Sequence, residues 1–253
     1  MTHHYGYVGA LFAAVLFGVS STLNKIALGN VHPMVVAGSV YLTAGVVLMA
    51  LRFTPLKERL LSTLEFRVKT QRRFSRRDVG LLGLIVLFGS FLAPLLFMSG
   101  LARTSAVNAS LLLNTETLFT VLIAAAVFRE RVPRSGMVGI ALIIAGALVV
   151  STENIGSVAL MENPWGNLLV VLAGLCWALD NNLSRFLSLK RDLLLVTSLK
   201  CLLGGGALLS LSALLGVPLT IPAQSLPYIL TVGSLSIGFP SSSTSSRSGK
   251  LGP

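Results

Sequence analysis

The chain has 253 residues, of which 53% are hydrophobic and only 11% charged, and its mean hydropathy is +0.81. So few charges cannot cover a soluble globule of that size, which leaves an integral membrane protein. A formal charge of +11 would point to nucleic acid in a soluble protein, but the bases cluster as membrane topology requires; nucleic acid is excluded and the lipid bilayer is the expected partner.

In chain order, apolar runs predict membrane helices over Tyr7–Leu28, Met34–Leu51, Val79–Leu101, Ala106–Phe128, Gly136–Thr152, Gly166–Leu187 and Leu193–Leu215, with a curtailed run at Leu226–Gly238. Most reach the roughly 17 to 25 residues that cross the hydrocarbon, so seven spans and a fragment of an eighth are expected, an all-α polytopic membrane helix bundle. The period-2 alternation of a membrane β-barrel is absent. No Lys or Arg precedes Tyr7, and the first run is too long for a signal h-region, so span one is expected to stay in the mature protein. His3 and His4 read as a frayed terminus rather than a metal site.

Nine Lys and Arg fall between Arg52 and Asp78, three follow span four (Arg129, Arg131, Arg134), three surround the end of span six (Arg185, Lys190, Arg191) and two lie in the tail (Arg247, Lys250). All fall on one side if the amino terminus is cytoplasmic, and only Arg103 lies opposite, so a cell-membrane protein with a cytoplasmic N-terminus is expected. The basic loop after Arg52 serves topology, with anionic headgroups as an alternative use. Pro94 predicts a kink in span three, and Gly204, Gly205, Gly206, Gly139, Ala141, Ala145 and Gly146 predict close helix approach in spans seven and five.

A pattern spaced as Gly6, Phe17 and Lys25 returns 160 residues later as Gly166, Trp177 and Arg185. About five spans separate the two starts, and an odd repeat unit inserts its second copy upside down, a plan recurrent among secondary transporters.

Charged side chains at bilayer depth are functional candidates by default, because insertion costs at least ~2.5 to 3.5 kcal/mol. Glu116 stands at the middle of span four, with Asn108 and Asn114 on the same span; it could bind a substrate ammonium or carry a proton. Asp180 lies seven residues before the end of span six and Lys200 seven after the start of span seven, so an ion pair between them is expected. Asn181 and Asn182 extend the polar patch, and helical geometry spreads the three about 100° apart, which favours a wet cavity. The matching positions of the first copy are Ser20, Ser21 and Thr22, and Ser20 and Thr22 join the expected substrate pathway. Lys25 lies three residues from the end of span one and is expected to snorkel.

The segment Leu111-Leu-Leu-Asn-Thr-Glu116 through Val127-Phe-Arg-Glu-Arg131, with Gly136, Gly139, Ala145 and Gly146, resembles the end of an EamA domain of the drug/metabolite transporter superfamily. Trp165-Gly166 through Cys176-Trp-Ala-Leu-Asp-Asn-Asn-Leu-Ser-Arg185 resembles the opening of a second EamA repeat. The resemblance implies a ten-helix, two-repeat exporter of small metabolites such as amino acids or amphiphilic drugs, working by alternating access without ATP. The expected domains are residues 6–152 as the first five-helix repeat, 165–238 as a partial, inverted second repeat, and 239–253 as an aberrant polar tail. That tail, read as a frameshift product, departs from the resemblance and makes inactivity through truncation an expectation.

A permease is therefore the leading function, with a homodimer as its candidate assembly and a small molecule as its substrate. The alternative is a seven-helix retinal receptor or pump using Lys200, against which stand 7% aromatics and no carboxylate in span three. An enzyme is not expected: there is no HExxH or DDxxD, and His3, His4 and His32 all lie outside the spans. Cys176 and Cys201 lie within spans without CxxC spacing, so neither a disulfide, a metal nor a cofactor is expected.

Overall fold

The structure is a computed structural model that describes residues 19–54, 75–129, 136–142, 145, 163–188 and 192–237. Most of predicted spans one and five, most of the basic loop and the polar tail lie outside those residues. Every element among them is helical. In chain order they are α1 (residues 19–27), α2 (Pro33–Arg52), α3 (Arg76–Arg103), α4 (Ala106–Leu112 and Thr115–Phe128), α5 (residues 136–142), α6 (Pro164–Ser188), α7 (Leu193–Leu214) and α8 (Leu226–Thr231, running into Val232–Ile237). Among the described residues α2, α3, α4, α6 and α7 are long and apolar enough to cross a membrane.

The helix starts follow from local chemistry. His32 precedes Pro33, whose fixed φ suits a first helical residue, and His32 Nδ1 accepts from the Met34 N–H at 3.3 Å. Asp78 accepts from the Ser75 N–H at 3.0 Å, and Ser105 Oγ from the Asn108 N–H at 3.1 Å. Asp192 accepts from the Leu194 and Leu195 N–H groups and also meets Arg52 Nε at 3.2 Å, tying the start of α7 to the end of α2.

Two helices are less regular than their apolar runs suggest. In α3 the expected kink takes the form of a π-helical stretch, Val86–Leu92, just before Pro94. Pro94 has no N–H to give, so the ladder N-terminal to it reorganises. Span four, read as one helix, breaks at Leu113–Asn114, where N–H groups bond three residues back. Thr115 Oγ1 takes the carbonyl of Leu112 at 2.6 Å and Asn114 Nδ2 that of Leu111 at 3.0 Å, so side chains repair the ladder that the break opens.

The centre of the bundle is the antiparallel crossing of α2 and α7. A Cβ at Gly38 would meet Leu209, one at Gly45 would meet Leu202, and one at Gly205 would meet the backbone of Leu42 and Gly38. Ser198 Oγ reaches Met49 Sδ at 4.0 Å. These contacts come in pairs related by the shift seen in the sequence: Gly38 with Leu209 answers Met49 with Ser198, and Gly45 with Leu202 answers Leu42 with Gly205, each member displaced by 160 residues. The helix-capping residues His32 and Asp192 differ by the same interval. Glycine at these points lets two backbones approach, as membrane packing requires. Gly206 and Gly139 show no such approach, since a Cβ on either would meet nothing within 4 Å among the described residues.

The π segment of α3 packs on α7, where a Cβ at Gly204 would strike Ser90. The π segment of α8, Val232–Ile237, packs on α2, with Gly233 against Val40 and Thr43. Val35, Val36, Val40 and Ala44 of α2, Leu101 of α3, Val170 and Ala173 of α6, and Cys201 and Leu208 of α7 form one continuous buried core.

Candidate functional site

The polar residues of α6 sit between α4 on one side and α3 with α7 on the other. Asp180 is 3% exposed and accepts from Lys200 Nζ at 2.6 Å through Oδ2 and from Ser184 Oγ at 2.7 Å through Oδ1. Equal depth in the membrane suggested this pair, but its route is different from two helices packed face to face. The π segment of α3 stands between α6 and α7: Gly89 lies against the Asp180 carboxylate, where a Cβ would clash, and Ser90 lies against Gly204. Lys200 reaches past this segment, and its side chain is 14% exposed.

Asn181 points the other way and donates to Glu116 Oε1 at 2.8 Å. Glu116 follows directly on the break in α4, which fits against Gly174 of α6: a Cβ there would meet Thr115 Oγ1 at 3.0 Å and the Glu116 N–H at 3.3 Å. Asn182 also turns to α4, donating to the Thr120 carbonyl at 3.1 Å and to Ala178 O at 2.9 Å. The hundred-degree spread of Asp180, Asn181 and Asn182 is thus met by protein on two sides, where the sequence pattern suggested a wet cavity.

The other expected pathway residues stand apart from this network. Asn114 is exposed and its amide is spent on its own helix. Asn108 is half-buried in the first turn of α4. Ser20 is buried within α1, whereas Thr22 is exposed, so the two lie on different faces. Ser21 Oγ and Asn24 Oδ1, also on α1, are buried without a hydrogen-bond partner among the described residues. Lys25 corrects the snorkelling expectation: Nζ binds the carbonyls of Leu101, Ala102 and Thr104 at 2.6, 3.1 and 2.9 Å, capping the C-terminal end of α3.

Three residues that sequence reasoning did not place in the site belong beside it. Trp177, one turn before Asp180 and Asn181 on α6, donates from Nε1 to Tyr41 Oη at 3.0 Å and to Gly89 O at 3.1 Å. Tyr41 donates to the same Gly89 carbonyl at 3.2 Å. The signals in the chain were faint: Trp177 is the aromatic of the repeat pattern, and Gly89 stands five residues before Pro94.

Two opposed carboxylates and one ammonium meet where α3, α4, α6 and α7 converge. Asp180 and Lys200 neutralise each other, whereas Glu116 has an amide for a partner and no cation of its own among the described residues. An uncompensated carboxylate in a membrane helix must hold a proton or attract a cationic group.

The family profile described as the EamA-like transporter family matches residues 4–152. An uncharacterized transporter of Methanothermobacter thermautotrophicus (strain Delta H) is 41% identical over 239 residues, which cover 94% of this chain and 70% of that protein. The uncharacterized transporter YyaM of Bacillus subtilis (strain 168) is 27% identical over 223 residues, 87% of this chain and 69% of that one. A solved crystal structure shares the fold with a TM-score of 0.67 at 20% identity, over 96% of this chain and 79% of the other.

Proposed function

Because the chain belongs to the EamA-like transporter family and is a multi-pass membrane protein, we propose that it is a secondary transporter that moves small metabolites, such as amino acids or amphiphilic drugs, by alternating access. The observation that carries the reading is Glu116, half-buried at mid-span, hydrogen-bonded to Asn181 and, among the described residues, without a counter-charge of its own beside the closed Asp180–Lys200 pair. A substrate ammonium or a proton supplies that charge. The 160-residue pairing of contacts at the α2 and α7 crossing supports two inverted repeats, and the basic clusters support a cytoplasmic N-terminus. In this reading α4 and α6 face each other across the site. The retinal alternative is set aside: the family is one of transporters, and Asp180 already holds the Lys200 ammonium.

Export from cells tests this. Cells producing the chain are loaded with a panel of radiolabelled amino acids and amphiphilic cations, and retention is compared with vector alone and with Glu116→Gln, which keeps a hydrogen bond to Asn181 but removes the charge. Faster loss of at least one solute, abolished by Glu116→Gln at unchanged protein level, is expected. Loss through Glu116→Gln at the full rate would remove Glu116 from the mechanism.

A further inference from the structure

In the π stretch Val86–Leu92 the ladder runs from a carbonyl to the N–H five residues on, as Phe88 O is met by the Ala93 N–H. The Gly89 carbonyl would then need the N–H of residue 94, which is proline and has none. A bare carbonyl is strongly unfavourable in the interior of a membrane protein, so it must find a donor elsewhere. Two other helices supply one each, Tyr41 Oη from α2 at 3.2 Å and Trp177 Nε1 from α6 at 3.1 Å. The donors are themselves joined, Trp177 Nε1 to Tyr41 Oη at 3.0 Å, and the indole ring rests on Phe97 with centroids 5.5 Å apart. On the same turn of α3, the missing Cβ of Gly89 is the space that the Asp180 carboxylate fills, and Ser90 packs on Gly204, one turn beyond Lys200.

We propose that Tyr41 and Trp177 are positioning residues. By holding the Gly89 carbonyl that Pro94 leaves unpaired, they fix the π segment of α3 as a wedge between α6 and α7, and so set the geometry at which Lys200 meets Asp180. The proposal goes beyond the transport reading, and its test reads thiol reactivity and an indole band, so it stands or falls without a transport measurement.

Cys176→Ser leaves Cys201, fully buried next to Lys200, as the one thiol of the chain. In that background the purified full-length protein in detergent is treated with N-ethylmaleimide. Tyr41→Phe combined with Trp177→Phe is expected to raise the labelling rate of Cys201 about tenfold or more, because local opening governs the reactivity of a buried thiol. A control thiol placed by Ala27→Cys in a cysteine-free chain, buried at the end of α1 whose Lys25 meets α3 at Leu101–Thr104, twelve or more residues beyond Gly89, is expected to change by less than about twofold. A wild-type rate at Cys201, or an equal rise at both thiols, overturns the proposal, since the second outcome is general loosening. If the double variant does not fold, Pro94→Ala carries the test. Its new N–H competes for the Gly89 carbonyl, and in a Trp165→Phe background Trp177 is the sole indole. The indole N–H band of Trp177 in ultraviolet resonance Raman spectra is expected to move toward weaker hydrogen bonding. An unmoved band overturns the proposal.

Discussion

Removing one partner of the Asp180–Lys200 pair leaves the other charge inside the bundle with nothing to answer it. The side chains are 4% and 14% exposed and 2.6 Å apart, so water offers little relief. Breaking such a buried pair costs about 3 to 5 kcal/mol, whereas replacing both members by neutral groups of similar volume is close to neutral. At roughly 2 to 4 °C per kcal/mol for a chain of this size, Lys200→Met should lower the unfolding midpoint by about 6 to 20 °C. Asp180→Asn with Lys200→Met should recover most of that loss, because no lone charge is left. Charge reversal is a poorer test of the same idea: Gly89 already lacks room for a Cβ beside the Asp180 carboxylate, so the longer side chain of Asp180→Lys cannot occupy the same slot. The assay is thermal unfolding in detergent followed by size-exclusion chromatography of the soluble fraction, with wild type, both single variants and the double variant in parallel. A double variant destabilised by the sum of the two single losses would refute the reasoning, for the cycle would then show no coupling between the two residues.

Gly89→Ala should be as damaging as loss of the ion pair, since its Cβ would strike the Asp180 carboxylate, while Gly206→Ala faces open space and should gain up to about 1 kcal/mol from helix propensity. Thermal midpoints of the two variants distinguish them, and a tolerated Gly89→Ala would remove the close approach from the account. Gly205→Ala presses on the Leu42 backbone and should destabilise the α2 and α7 crossing, read as a lower yield of monodisperse protein; full yield would argue against that tight crossing. At the start of α7, Asp192→Ala should cost more than Arg52→Ala. Asp192 caps two N–H groups as well as meeting Arg52, so its loss is worth about 1 kcal/mol from the cap alone, against roughly 0 to 1 for a partly exposed pair. Equal midpoints for the two variants would mean that the cap contributes nothing.

Much of this architecture is written in one dimension. The length of each apolar run announces a helix because the bilayer leaves the backbone no other way to pair its polar groups. The Ala106–Phe128 run and the limits of α2, α6 and α7 agree with the structure to within a residue or two for that reason. Asp180 and Lys200 could be paired on paper because rise per residue converts sequence distance into depth. The 160-residue interval first visible in Gly6, Phe17 and Lys25 also governs which residues touch where α2 crosses α7.

Azimuth was not legible in the same way. Depth says nothing about which neighbour a side chain faces, and in a membrane helix hydrophobicity does not separate the lipid face from the packed one. Lys25 therefore read as a snorkelling side chain until α3 brought three carbonyls to it. The break in α4 and the π stretch of α3 were hidden within uniformly apolar runs, because the groups that repair them come from side chains turned back on the helix or from other helices. The sequence by itself determined the solvent in which this protein folds, the limits of the helices α2, α4, α6 and α7, and that Asp180 and Lys200 share a level. Only the tertiary structure decided that a strip of α3 with a proline-freed carbonyl would lie between Asp180 and Lys200, and that Asn181 would turn to Glu116, because each depends on how helices rotate and cross to fill one another's gaps.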